Sequence, residues 1–174
     1  GHANTHEHRS WASEDDFKRT LWTAVANVGT AIGFALLLAA IFSLRRDVTW
    51  RQGLLWGLGG YAAFFALPAL GMAPELPGTQ SAALEQRQVW WLMTVVLSAA
   101  GLWLAALGHS WAYKAVGIVL VVIPHAVGAP HPETHSSLAP ADLAHTFLIA
   151  TAIANAIFWL VLGTSSAVAF KKLA

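Results

Sequence analysis

Residues 21–44 read LWTAVANVGTAIGFALLLAAIFSL and contain no charged side chain. About 20 predominantly apolar residues are enough for a helix to cross the hydrocarbon core of a bilayer. The run ends at Arg45 and Arg46, and Trp22 lies at its other boundary, where interfacial aromatic side chains are common. The stretch therefore predicts a membrane-spanning helix.

Composition extends this prediction to the whole chain. Hydrophobic residues make up 56% of the sequence and charged residues 11%, against roughly 25% charged residues in soluble domains. So few charges cannot cover the surface of a water-soluble protein. The chain has no cysteine, which excludes disulfides, thiolate metal sites and a cysteine nucleophile.

Further apolar runs predict four more spans. The fold class expected is therefore all-α, a polytopic transmembrane helical bundle with five spans in this chain. Pro68 should break or kink the second span, and Pro124 should interrupt the fourth just before His125. The adjacent Trp90 and Trp91 resemble an interfacial aromatic belt, and Gly29-x-x-x-Gly33 is a spacing that admits a close neighbouring helix. The additional runs are 52–72, 89–108, 115–128 and 143–169.

Basic residues predict the orientation of the bundle. Basic loops tend to stay in the cytoplasm, and five spans place the two chain ends on opposite sides. We therefore expect a periplasmic His- and acid-rich segment at 1–20, a transmembrane domain at 21–174 with periplasmic loops at 73–88 and 129–142, and a cytoplasmic C-terminus. The residues assigned to the cytoplasmic side are Arg45, Arg46, Arg51, Lys114, Lys171 and Lys172.

Residues 124–135, PHAVGAPHPETH, place three histidines and one carboxylate between the last two spans. Neutral imidazole and carboxylate oxygen form the ligand set of borderline divalent ions such as cobalt, nickel and zinc. Pro130 and Pro132 favour a stiffened loop over a helix. His109 is the one histidine that falls on the predicted inner side, and Glu75, Glu85, Glu133 and Asp142 fall on the outer side. The candidate metal ligands are His125, His131, Glu133, His135, His145, Glu75, His6 and His8.

Four motifs together resemble the CbtA family of predicted cobalt transporter subunits of bacteria. They are PHAVGAPHPETH, PELPG at 74–78, the tryptophan pair and FWLVLG at 158–163. The resemblance implies cobalt uptake in the cytoplasmic (inner) membrane beside a small single-span partner that has its own histidines. It also implies one further helix before residue 1. His125, His131, Glu133, His135 and Glu75 match the family's motifs.

Three functions remain open at this stage. The first is a subunit of a divalent-metal uptake transporter, with cobalt as the favoured ion. The second is an accessory or structural subunit of a larger membrane complex without transport activity of its own. The third is a haem-bearing membrane anchor, for which His125 and His145 are the candidate axial pair. No nucleophile–base pair or acid pair suggests an enzyme, and the expected contacts are membrane lipid and partner subunits, with no role for nucleic acid.

Overall fold

The computed structural model describes residues 8–45, 48–76, 78–132 and 140–173, and the regular elements in these ranges are helices. The chain divides into two compact units, residues 1–47 and residues 48–174. The first unit contains α1, and the second contains the other helices. The elements are α1 (His8–Ser43), α2 (Trp50–Tyr61), a π-helical turn (Ala62–Ala66), α3 (Leu67–Gly71), α4 (Leu84–Leu107), α5 (Trp111–Val127) and α6 (Ala141–Leu173).

The described helices confirm an all-α membrane bundle. Four stretches are long and apolar enough to cross a membrane: Asp16–Ser43, Trp50–Gly71, Leu84–Leu107 and Asp142–Leu173. The apolar helix α5 is shorter, and at 1.5 Å per residue it covers about 25 Å of a hydrocarbon core that is about 30 Å thick. The protein is therefore an integral membrane protein.

Threonine hydroxyls in the apolar part of α1 bond the backbone of their own helix. Thr23 and Thr30 each donate a hydrogen bond of 2.8 Å to the carbonyl oxygen four residues earlier. Such bonds allow polar side chains in a span, because hydrocarbon offers them no partner. A Cβ atom added at Gly29 or Gly33 would have no described heavy atom within 4 Å. Within the first unit, whose described helix is α1, these two glycines have no close neighbour.

The second span changes its helical type in front of a proline. Thr49 and Gln52 cap its start reciprocally, each side chain bonding the other residue's backbone N–H. The α-helix then widens into the π-helical turn, and α3 begins with Pro68 in its first two positions. Proline has no N–H and its ring crowds the carbonyl four residues earlier, so the regular hydrogen-bond ladder cannot continue through it. The predicted interruption at Pro68 is confirmed.

Helices α2 and α6 pack closely through glycine. A Cβ added at Gly57 would lie 2.4 Å from the carbonyl oxygen of Trp159, and one added at Gly163 would lie 2.3 Å from that of Gly53. Backbones approach this closely only where side chains are absent. The pairing is antiparallel, because Gly53 contacts Gly163 and Ala167 while Gly57 contacts Trp159.

The other contacts of the second unit define its two ends. Gly101 of α4 and Gly117 of α5 meet backbone to backbone, and the rings of Trp56 and Trp103 lie 5.5 Å apart. The start of α2, the end of α4, the start of α5 and the end of α6 therefore share one end. This basic end carries Arg51, Lys114, Lys171 and Lys172, and the opposite loop end carries Glu75, Glu85 and Asp142.

Pro124 does not interrupt the fourth span as the sequence predicted. Helix α5 continues through it to Val127, so His125 lies within the last helical turn. Helix α5 ends instead at Gly128, whose φ of 89° is open to glycine and unfavourable for other residues. The N–H of Gly128 bonds the Pro124 carbonyl at 3.1 Å, which closes the last turn after the proline.

Candidate metal-capture site

Trp90 fixes the end of α5 from which the histidine loop departs. Its indole Nε1–H donates a hydrogen bond of 3.2 Å to the Pro124 carbonyl, and only 4% of the residue is exposed. The prediction of an interfacial belt is therefore wrong for Trp90. The neighbouring Trp91 is 37% exposed, and its ring centre lies 6.4 Å from that of Phe64.

The sequence contains a signal that could have distinguished these two tryptophans. Thr94, Ser98 and Gly101 follow Trp90 on one face of α4, and all four residues are buried. Small and polar residues mark the protein-facing side of a membrane helix, because they permit close packing and interhelical hydrogen bonds. The same intervals counted from Trp91 lead to Val95, Ala99 and Leu102, none of which is polar. The stripe of small residues therefore identifies Trp90 as an interior side chain.

His125 lies beside Trp90 and bridges α5 to the second span. Its Nε2 is 2.9 Å from the Leu67 carbonyl oxygen and its Nδ1 is 3.0 Å from the Val121 carbonyl oxygen. The His125 ring meets the Trp90 ring edge-on, with 6.1 Å between centroids. Because both carbonyls only accept, a neutral imidazole can donate to one of them at a time. A metal ion at His125 would have to displace one of these carbonyl contacts, since it binds a ring nitrogen through its lone pair.

The histidine loop leaves this anchored base at Gly128. His131 is solvent-exposed and lies outside the helices. Two other predicted ligands, Glu133 and His135, lie outside the described residues, as does His6 in the N-terminal segment. His8 is the first residue of α1, and nothing is described of its side chain. The structure therefore places the base of the loop and its first histidine.

Glu75 is held in a polar contact with its own neighbourhood. Its Oε2 accepts a hydrogen bond from the Ser81 hydroxyl and lies 3.8 Å from an Arg87 guanidinium nitrogen. Both charged side chains are about one-third exposed. This contact connects the loop before α4 to the first turn of α4. The sequence did not identify Ser81 or Arg87 as partners, because no local motif links residues in a loop to a helix that follows it.

His145 lies near the start of α6, one turn after Asp142, and is exposed. The backbone of that turn is reinforced by the Thr146 hydroxyl, which donates to the Asp142 carbonyl at 2.9 Å. His145 and Asp142 therefore belong to the loop end of the second unit, as do His125 and Glu75.

The described residues do not gather a complete metal site. Across residues 16–45, 48–76, 78–132 and 140–173, no three His, Asp or Glu side chains converge in a way that could hold a metal ion. A divalent ion in a histidine and carboxylate site usually needs three or four ligands at about 2.0–2.2 Å. His125, His131, His145 and Glu75 lie at one end of the second unit. The set predicted from the sequence stays a prediction, because His6, Glu133 and His135 lie outside the described residues.

Comparison with known proteins identifies the family of this chain. Neither the curated proteins nor the solved structures gave a match. Residues 1–171 match the family described as "Probable cobalt transporter subunit (CbtA)", which is nearly the full length of the sequence. The apolar helices and the histidine loop between α5 and α6 fit that description, and the chain belongs to the CbtA family of probable cobalt transporter subunits.

Proposed function

We propose that this chain captures Co²⁺ on the outer face of the bacterial cytoplasmic membrane and passes it inward as one subunit of an uptake transporter. The loop of residues 128–140 supplies the capture ligands His131, Glu133 and His135. The family match carries this proposal, because it covers 171 of the 174 residues and its description names cobalt transport. Nickel or zinc would suit the same ligand types.

The anchored base of the loop supports the proposal. The contact between Trp90 and Pro124 and the contact between His125 and Leu67 hold the end of α5 against two neighbouring helices. A loop that leaves a fixed point has fewer conformations to lose when it closes on an ion. Pro130 and Pro132 restrict the backbone further on either side of His131.

The charges of the second unit support the proposed orientation. Its basic end carries four Lys or Arg side chains, and we place that end in the cytoplasm according to the positive-inside rule. The loop end, with His131, His145, Glu75 and Asp142, then faces the periplasm. A carboxylate-rich outer surface attracts divalent cations and raises their local concentration.

The route across the bilayer requires a partner. In the described spans, the buried polar side chains are Thr94 and Ser98 of α4, both 0% exposed. Thr94 donates to the Trp90 carbonyl within its own helix, and Asn155 donates to the Thr151 carbonyl in the same manner. These groups offer few free oxygen ligands to a dehydrating ion. We therefore propose that a second subunit, such as a single-span histidine-bearing protein, contributes to the route.

An accessory subunit without transport activity of its own is the second candidate. It is favoured by the bonding of His125 and Glu75, because both side chains already have partners within the protein. A haem-bearing anchor is third. For this function, His125 would have to lose its contact with the Leu67 or the Val121 carbonyl so that a ring nitrogen could bind the haem iron. It would also have to face His145 across the base of the loop.

Titration of the purified protein with Co(II), followed by its visible spectrum, tests the capture proposal. We expect ligand-field bands that saturate at a defined ratio of cobalt to protein. The double substitution His131→Ala with His135→Ala should reduce the affinity about tenfold or more. Because histidine binds metal in its neutral form, the wild-type affinity should also weaken below about pH 6.

His109→Ala is the matched control, since His109 is an exposed histidine at the basic end of the unit. It should bind cobalt like the wild type. Equal cobalt affinity in the wild type and in the loop double variant would remove the loop from the site. A Soret band in the protein before any cobalt is added would favour the haem anchor.

A further inference from the structure

A groove runs along α6 toward the basic end of the second unit. Its volume is about 670 Å³, and side chains of α6 form most of its lining. One wall comes from Leu54 of α2, and Lys172 lies at the end of the groove. The lining residues that decide which kind of molecule fits the groove are Leu54, Leu160, Val161, Thr164 and Val168.

The hydroxyl groups of the groove do not make it polar. The Thr164 hydroxyl donates to the Leu160 carbonyl at 2.7 Å, and the Ser165 hydroxyl donates to the Val161 carbonyl at 2.7 Å. With both donors satisfied by the helix backbone, the groove presents mainly methyl and methylene groups. Its occupant must therefore be apolar along most of its length.

The length of the groove matches one leaflet of a bilayer. From Leu160 to Lys172 the lining advances 12 residues along α6, which at 1.5 Å per residue is about 18 Å. Half of a hydrocarbon core about 30 Å thick is about 15 Å. The groove therefore begins near the middle of the bilayer and ends at the level of the headgroups.

The charge at the end of the groove is the ammonium group of Lys172. In the described part of the second unit, no carboxylate forms an ion pair with Lys172, and the acidic side chains Glu75, Glu85 and Asp142 belong to the opposite end. Arg51 lies at the same end, one turn before Leu54, with its guanidinium 5.5 Å from the centre of the Trp50 ring. A basic pocket between membrane helices is suited to an anionic lipid headgroup.

We propose that this groove binds an anionic phospholipid. One acyl chain lies along Leu160, Val161, Thr164 and Val168, and the phosphate contacts the ammonium group of Lys172. A single acyl chain is thin enough to follow the groove without separating α2 from α6. The site does not depend on whether the protein carries cobalt.

Native mass spectrometry of the full chain, delipidated in detergent, tests this proposal. The probes are phosphatidylglycerol and phosphatidylcholine with identical acyl chains. We expect tighter binding of phosphatidylglycerol by the wild type and about a fivefold loss of that affinity in Lys172→Gln. Phosphatidylcholine binding should change little in Lys172→Gln. Val161→Trp, which adds a ring on an exposed position of the groove, should weaken the binding of both lipids.

Lys114→Gln is the matched control. Lys114 belongs to the same basic end, but its ammonium group lies 5.7 Å from the centre of the Trp111 ring and it does not line the groove. This variant should keep the preference for phosphatidylglycerol. An equal affinity for phosphatidylglycerol in Lys172→Gln and wild type would overturn the proposal. A wild-type dimer that Val161→Trp converts to a monomer would also overturn it, because a second copy would then occupy the groove.

Discussion

Replacing Trp90 by alanine is expected to destabilise the protein by about 3–5 kcal/mol, the range observed for large aromatic side chains in well-packed interiors. Trp90 is 4% exposed, and its indole N–H bonds the Pro124 carbonyl. The substitution removes the ring that meets His125 and leaves a cavity between α4 and α5. It should also lower cobalt affinity, since it releases the end of α5 that anchors the histidine loop. Thermal unfolding in detergent and the cobalt titration measure the two effects.

Two other substitutions separate the effect of the lost hydrogen bond from the effect of the lost buried ring. Trp90→Phe keeps most of the ring and removes the hydrogen-bond donor, while the Pro124 carbonyl still accepts from the Gly128 N–H. We therefore expect a smaller loss of about 0.5–1.5 kcal/mol from the missing hydrogen bond. Trp91→Ala removes the same kind of side chain from a position that is 37% exposed. It should destabilise the protein less than Trp90→Ala does. Equal losses of stability in the two alanine variants would contradict the interior role of Trp90.

Replacing Gly57 by alanine should separate α2 from α6. The new Cβ would lie 2.4 Å from the Trp159 carbonyl oxygen and 3.1 Å from its carbon, so backbone and not a flexible side chain opposes it. Overpacking of this kind typically costs about 1–3 kcal/mol. The expected result is a lower unfolding temperature in detergent than that of the wild type.

Gly59→Ala is the control for this prediction, because it lies in the same helix. A Cβ at Gly59 meets no described atom within 4 Å, and alanine favours an α-helix over glycine by up to about 1 kcal/mol. The stability should therefore stay equal or rise. A Gly57→Ala variant that unfolds at or above the temperature of Gly59→Ala would refute the close contact between α2 and α6.

The helical class and four long apolar spans followed from the sequence, because a membrane span is specified by the length of an apolar run. The fifth predicted span corresponds to the shorter apolar helix α5. The interruption at Pro68 followed from the missing N–H of proline. The same reasoning was wrong at Pro124, where α5 continues to Val127 and the Gly128 N–H closes the last turn on the Pro124 carbonyl. The missing N–H of proline costs one bond of the helix, but it does not by itself fix where the helix ends.

The spacing of glycines predicts that helices can pack closely, but it does not predict which helices do so. Gly29 and Gly33 have the spacing of a helix-packing motif, and no described atom of the first unit lies within 4 Å of either Cβ position. Gly53 and Gly57 have the same spacing and contact Gly163 and Trp159 of α6. The spacing of small residues shows that another helix can approach closely. Whether one does so depends on the partner helix. The sequence contains no pattern that pairs α2 with α6.

The sequence identified the candidate ligands by residue type, but it did not predict their hydrogen-bond partners. Sequence alone could place His125 near the end of a span, because Pro124 and the apolar run precede it. The contact of its Nε2 with the Leu67 carbonyl joins positions far apart in the chain, and no local pattern contains that pairing. The same holds for the contact between Glu75 and Arg87. His131, Glu133 and His135 therefore remain the predicted core of the capture site.

The most direct test of cobalt capture and transport by this protein is the initial rate of radioactive cobalt uptake by cells that contain the complete transporter. The subunit is supplied as wild type, as the His131→Ala and His135→Ala double variant, or as His109→Ala, at equal levels in the membrane. We predict a rate at least about tenfold lower for the double variant at limiting cobalt, with a wild-type rate for His109→Ala. Equal rates for all three proteins would contradict a role for the outer loop in cobalt uptake.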